Sequence, residues 1–236
     1  MLAMATVLGC LACGAAQRPV LERAIEARGG PLPGLVRTSE AEVSAGFPGT
    51  WRWRTVVAPP DRYAWSVETT GEPTHYLFDG RVARAFVGSG LTSEDPSPGA
   101  AIRSHARFMG VMLLDALRAP GVTVRELPPA ARPPGSAAAL EVVFVDTGDR
   151  YVIGLDETGL VVSVEGPVLL PPFERQHVRA VLGDHRRVGG YLVPYRLRWT
   201  ADGVPLADER TLEACALRAS PPASAFAQPS ALPRCP

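Results

Sequence analysis

The chain contains no lysine and no asparagine. All 24 of its basic residues are arginine, balanced by 24 acidic ones. Arginine used this exclusively reads as the codon bias of a GC-rich genome and not as selection for guanidinium chemistry. No basic or acidic block occurs anywhere, which removes the electrostatic footprint of a nucleic-acid binder. Catalytic signatures are missing too. Ser39, Ser44 and Ser66 lack a G-x-S-x-G elbow. Gly88-Ser89-Gly90 has no Lys or Thr in register behind it to cradle a phosphate. The four histidines, His75, His105, His177 and His185, fall at no metal-ligand spacing and are expected to be structural or surface residues. Asp61, Asp79, Asp156 and Asp202 sit where turns are formed. No metal, no cofactor and no catalytic group is therefore expected.

What the chain does have is 23 Gly, 24 Pro and 46% hydrophobic residues in 236 positions. That composition suits one domain with many turns and few long helices. The start, MLAMATVLGCLACGAA, is small and apolar, and its first charge is Arg18. It resembles the apolar core of a secretory signal and is too short to cross a membrane. Cys10 and Cys13 both end imperfect lipobox sites, so either one is a candidate for lipidation; ordinary cleavage after Ala16 is the alternative. Residues 1–16 are accordingly expected to be an export signal, 17–229 a single domain and 230–236 a tail. Cys215 and Cys235 are the candidate disulfide of an exported chain.

The longest helix-like run is 98–117, PGAAIRSHARFMGVMLLDAL. Ile102, Met109, Leu113 and Leu117 recur near helical spacing with Ala106 and Met112 beside them, and Arg103, Arg107 and Asp115 fall elsewhere. A shorter helix is expected over 19–28, stopped by Gly29-Gly30. Nearly everything else alternates with period two between turn sequences. Trp51, Trp53, Thr55 and Val57 share one face of a strand while Arg52 and Arg54 take the other. Tyr63, Trp65 and Val67 share a face of the next, and Tyr191, Val193, Tyr195, Leu197 and Trp199 share a face late in the chain. Asp79-Gly80 is the strongest hairpin signal. Residues 88–99 read as a polar loop, and 167–174 as a Pro-broken segment unfit for a central strand. About ten or eleven short strands with tight connections must be antiparallel, and that many should coil. The expected fold is mostly β (α+β): a strongly curved, unclosed antiparallel half-barrel with a helical lid on its concave face.

Certain motifs occur in order along the chain: LERAIEARGG at 21–30, PPDRY at 59–63, YLFDG at 76–80, GYLVPYR at 190–196 and SAFAQP at 224–229. Together they resemble the LolA/LolB-like outer-membrane lipoprotein-sorting family, as a distant relative. The resemblance implies a half-barrel whose apolar concave cavity holds acyl chains of lipoproteins or other lipids, with no chemical step. It implies an exported protein in the periplasm or on the periplasmic face of the outer membrane, lipid-anchored if Cys10 or Cys13 is modified. LolB-like members also project an exposed Leu between early strands. The loop at 69–74 has none, and Phe47 belongs to a different hairpin. On this reading Trp51, Trp53, Tyr63, Trp65, Val67, Tyr195, Leu197 and Trp199 line the cavity from the sheet, and Met109, Met112 and Leu113 from the helix. The alternative is an envelope structural or signalling module that uses the same fold, with a filled interior, to bind a protein or peptide.

Overall fold

A computed structural model describes residues 13–45, 48–68, 71–93, 96–170 and 174–236. Thirteen strands form one antiparallel sheet. In chain order they are β1 (Leu35–Val43), β2 (Gly49–Ala58), β3 (Arg62–Glu68), β4 (Thr74–Phe78), β5 (Ala83–Val87), β6 (Gly90–Ser93), β7 (Val122–Glu126), β8 (Ala138–Phe144), β9 (Asp149–Leu155), β10 (Val161–Leu170), β11 (Glu174–Val188), β12 (Tyr191–Ala201) and β13 (Val204–Ala216). The order across the sheet is β6-β5-β4-β3-β2-β1-β13-β12-β11-β10-β9-β8-β7. Neighbours in the sheet are consecutive in the chain everywhere except at β1–β13, which joins the two halves of the chain. The two edge strands, β6 and β7, do not pair with each other, so the half-barrel stays open. Helices α1 (Cys13–Arg28) and α2 (Pro96–Met112) lie on its concave side, where their apolar residues join those of the sheet in the main core. The last residues of the expected export signal, 13–16, thus belong to α1; Cys10 lies outside the described residues.

Four expectations are corrected. Among the described residues the strands number thirteen, not ten or eleven. The supposed polar loop contains β6, because Gly88 at φ +58° lets the chain turn back and pair Leu91 with Phe86. The supposed Pro-broken segment continues β10 to Leu170. Pairing with β9 has ended by Glu165, while pairing with β11 goes on through Pro167 and Leu169. Residues two apart point their N–H groups the same way, and Leu169 N–H leaves the sheet for Ser104 Oγ of α2 at 3.1 Å. The missing donor of Pro167 therefore falls on the side that β9 has vacated.

The long helix, finally, ends at Met112 and not at Leu117. Leu114 adopts φ +65°, and a 3-10 turn follows over Asp115–Arg118. The cause lies 85 residues earlier. Arg28, at the end of α1, donates to Leu113 O, to Gly30 O and to Asp115 Oδ2 (2.8 Å), and Leu32 N–H donates to the same carboxylate at 3.2 Å. The bond to Leu113 O takes over a carbonyl that another helical turn would have used, and the bonds to Asp115 hold the chain in the turn. Burial pushes the Asp115 carboxyl up and the Arg28 guanidinium down, against their mutual attraction. Gly29 lets α1 stop tightly against the β11–β12 turn, since a Cβ there would stand 2.5 Å from Gly190 O.

The convex face carries a second, smaller core. Val36, Val56, Ala58, Ala64, Leu77 and Phe86 are covered by Phe226 and Leu232 from a C-terminal strap, 217–236. Cys215 of β13 is joined to Cys235 of the strap. Arg62 donates to Pro221 O and Ser220 Oγ, and Arg54 to Pro233 O. Residues 230–236 are therefore packed against the sheet along with the rest of the strap.

Candidate functional site

The alternation that builds the concave wall also builds the site. In β2 and β3, Trp53 and Trp65 stand on the inner face and meet edge to face, 5.7 Å between centroids. Trp65 also stacks on Tyr76 of β4 at 5.5 Å. Trp199 of β12 rises from the opposite wall. Helix α2 spans the space between the walls: His105 contacts the Trp65 ring at 5.7 Å, and Phe108 contacts Trp199 at 5.6 Å. On its other face Arg107 anchors α2 to the β8–β9 hairpin through Thr147 (2.6 Å), Asp146 and Asp149, and lies over the Phe144 ring.

The helix does not fill the space beneath it. A cavity of about 510 Å³ remains, with mostly apolar walls. Trp51, Trp53, Tyr63, Trp65, Met109 and Trp199 all line it. Five other residues expected there do not. Val67 and Leu197 are buried beside the lining residues Trp53 and Glu209, with which they pair, and do not border the space themselves. Met112 and Leu113 instead bound a void of about 30 Å³ near Arg28 and His185, because the helix ends there and turns. Tyr195 lies under the Arg186 guanidinium, 4.6 Å from the ring centroid, beside the left-handed Asp184.

Of the lining groups that were not anticipated, three bear on the chemistry of the site. Phe108 is one; its place beside Met109 and three residues after His105 was the available signal. The others are Arg37 of β1 and Glu209 of β13, which form an ion pair of 2.7 Å with side chains only 4% and 2% exposed. The indole N–H of Trp199 donates to Glu209 Oε2 at 2.9 Å. A charge pair removed from water in this way is held by its geometry, since desolvation costs several kcal/mol per ion. Burial, aided by Glu209, also keeps the Tyr63 phenol protonated by raising its pKa. His105 faces the cavity, and burial pushes its imidazole down to about 4, so that it is neutral at pH 7. The site thus offers aromatic rings, a thioether, one neutral imidazole and an internally compensated ion pair, with Thr55, Gln176 and Asp202 also on its walls. Among the described residues no nucleophile with an activating base is assembled there.

Elsewhere His75 Nδ1 meets Ser66 Oγ at 2.7 Å on the convex face, and the backbone N–H of His177 donates to Asp202 at 3.0 Å. Among the described residues no group of three His, Cys, Asp or Glu side chains is placed to hold a metal ion, and no helix is long and apolar enough to cross a membrane. Phe47 and the 69–70 part of the early loop lie outside the described residues.

No protein-family model matches this sequence, and no curated protein matches it. Solved structures do match. A LolA superfamily protein from Nitrosomonas europaea superposes with a TM-score of 0.58 at 11% identity, covering 89% of this chain and 96% of the other. A putative outer membrane lipoprotein-sorting protein domain from Vibrio parahaemolyticus gives a TM-score of 0.54 at 10% identity over 87% and 94%. A DUF1329 family protein from Desulfovibrio piger gives 0.55 at 8% identity over 84% and 92%. At these identities the likeness is one of fold. This chain is folded as the LolA-like open half-barrels are, over nearly its whole described length.

Proposed function

We propose that the protein is a cell-envelope carrier or acceptor that holds an acyl chain of a lipid or lipoprotein between α2 and the sheet, with no chemical step. The observation that carries this reading is the aromatic-walled space of about 510 Å³ that Met109 and four tryptophans leave open. A methylene is close to a water molecule in size, whose share of liquid volume is ~30 Å³, so the cavity has room for roughly seventeen such groups. That is enough for one long acyl chain. Each methylene removed from water contributes about 0.8 kcal/mol, so binding needs no polar anchor. The half-barrel fold shared with lipoprotein-sorting proteins supports the same reading. Export, and a lipid anchor on Cys10 or Cys13, belong to this proposal.

The test is lipid extraction and mass spectrometry of protein purified from a bacterial envelope, together with displacement of a fluorescent fatty-acid probe. Wild-type protein is expected to carry lipid and to bind the probe. Ala207→Trp, which fills the cavity beside Trp199, is expected to abolish binding while the protein still melts cooperatively. Absence of bound lipid combined with absence of probe binding would overturn the proposal.

A further inference from the structure

On the convex face the strap covers only part of the sheet it crosses. Beside it lies a trough of about 1090 Å³, on the opposite side of the sheet from the acyl cavity. Its floor is a single row across six strands. Glu213 of β13 pairs with Thr38, Thr38 with Arg54, Arg54 with Ser66, Ser66 with His75, and His75 with Phe86. Alternation puts all of these on the outer face, because Val36 and Val56, two residues from Thr38 and Arg54, pack under the strap. Phe86 in turn pairs with Leu91 of β6, which is half exposed at the end of the trough. The strap contributes Arg234 to the wall.

The charges of this trough are incompletely matched. Arg52 has Glu68 at 3.7 Å and Arg84 has Asp79 at 2.8 Å, but among the described residues no carboxylate lies within ion-pair distance of Arg54 or Arg234. The two guanidiniums are close enough to repel. Burial pushes the Arg54 pKa down, and Arg234 pushes it further, acting more strongly than either Glu213 or Glu68 in the opposite direction. Burial and Arg54 together hold His75 below the usual imidazole range, so that at pH 7 it is a neutral partner of the Ser66 hydroxyl.

We propose that this trough is a second binding site, for an oxyanion held between Arg54 and Arg234 with Ser66 and His75 as neutral hydrogen-bond partners, on a ligand whose short apolar part lies over Leu91, beside the accessible edge of Phe86. An oxyanion supplies the missing countercharge, and guanidinium groups bind phosphate and carboxylate in a charge-assisted, fork-like geometry. The site is separate from the acyl cavity and does not rest on the carrier reading.

Calorimetric titration of the full chain with octyl phosphate, octanoate and inorganic phosphate tests this. Octyl phosphate is expected to bind, with inorganic phosphate weaker for want of the apolar contact; comparison with octanoate separates a phosphate from a carboxylate preference. Arg234 is exposed and bears no structural ion pair, so Arg234→Gln is expected to fold normally and to weaken octyl phosphate about tenfold or more, with Arg234→Glu abolishing it. Neither change should alter binding of the fatty-acid probe. Ala207→Trp provides the reverse control: it blocks the cavity and should leave octyl phosphate in place. Octyl phosphate binding that Ala207→Trp removes and Arg234→Glu spares would overturn the proposal, as would no binding of any of the three ligands.

Discussion

The Arg37–Glu209 pair permits a direct test of whether the concave cavity is dry. Both side chains are almost fully buried, 2.7 Å apart, and Glu209 also accepts from the Trp199 indole. Glu209→Leu leaves a guanidinium with no countercharge and an indole N–H with no acceptor. Breaking a buried pair on one side costs about 3–5 kcal/mol, and an orphaned buried donor adds about 1 kcal/mol or more. Arg37→Met alone should cost a similar amount. Arg37→Met combined with Glu209→Leu removes both desolvation penalties and leaves only the indole unsatisfied. The double variant is therefore expected within about 2 kcal/mol of wild type, a coupling of about 3 kcal/mol or more in the four-member cycle. Urea unfolding followed by tryptophan fluorescence measures each corner, with unchanged m-values confirming a common unfolding reaction. If Glu209→Leu alone costs under about 1 kcal/mol, the pair behaves as a solvated surface pair. Water then reaches the cavity floor, and the reasoning that makes this a compartment for an acyl chain fails.

Other perturbations have definite outcomes. His105 is held neutral in the fold at about 4 against 6.5 when unfolded, so its contribution is complete above pH 6.5 and declines as pH falls toward 4. Chemical denaturation at pH 7 and pH 5 should differ by about 2 kcal/mol from this residue, a difference that His105→Gln should remove; an unchanged pH slope would refute the assignment. Cys235→Ser opens a link between residues 20 apart and should cost about 3 kcal/mol, read as a lower melting temperature and as protease cleavage within the strap. Gly166→Ala places a Cβ 2.3 Å from the Tyr151 ring, which is fully buried, and should destabilise by about 1–3 kcal/mol in the same urea assay; a neutral result would mean that this ring moves freely.

Faces were legible in the amino-acid order because a strand repeats every two residues. Trp51, Trp53, Tyr63, Trp65 and Trp199 are on the cavity wall for that reason alone, and Arg54 is on the opposite face by the same rule. Hairpins at Asp79-Gly80 and Gly189-Gly190 were readable from turn chemistry, and with them the antiparallel order of most neighbours. Where the alternation is interrupted, this reading fails: left-handed Asp184 stands opposite Tyr195, which lies under Arg186 and not in the cavity.

Contacts between distant parts of the chain decided the rest. Local periodicity extends a helix through Leu117, but Arg28 and Leu32 capture Leu113 and Asp115 and break it at Leu114. Pro167 is tolerated in β10 because of where β9 stops, which no window around residue 167 reveals. Arg37 and Glu209 meet only because β1 and β13 are neighbours with a register shift at Thr38/Ser39. The strap is another case: a Pro/Ala/Ser segment with no periodicity is ordered by Phe226, Leu232 and Cys235 finding the outer face. Local sequence thus set which side chains face inward, through the geometry of single strands. Whether they close up into solid core or leave about 510 Å³ between them was set by where α2 stops and how the sheet curves, and both depend on pairings between residues far apart in the chain.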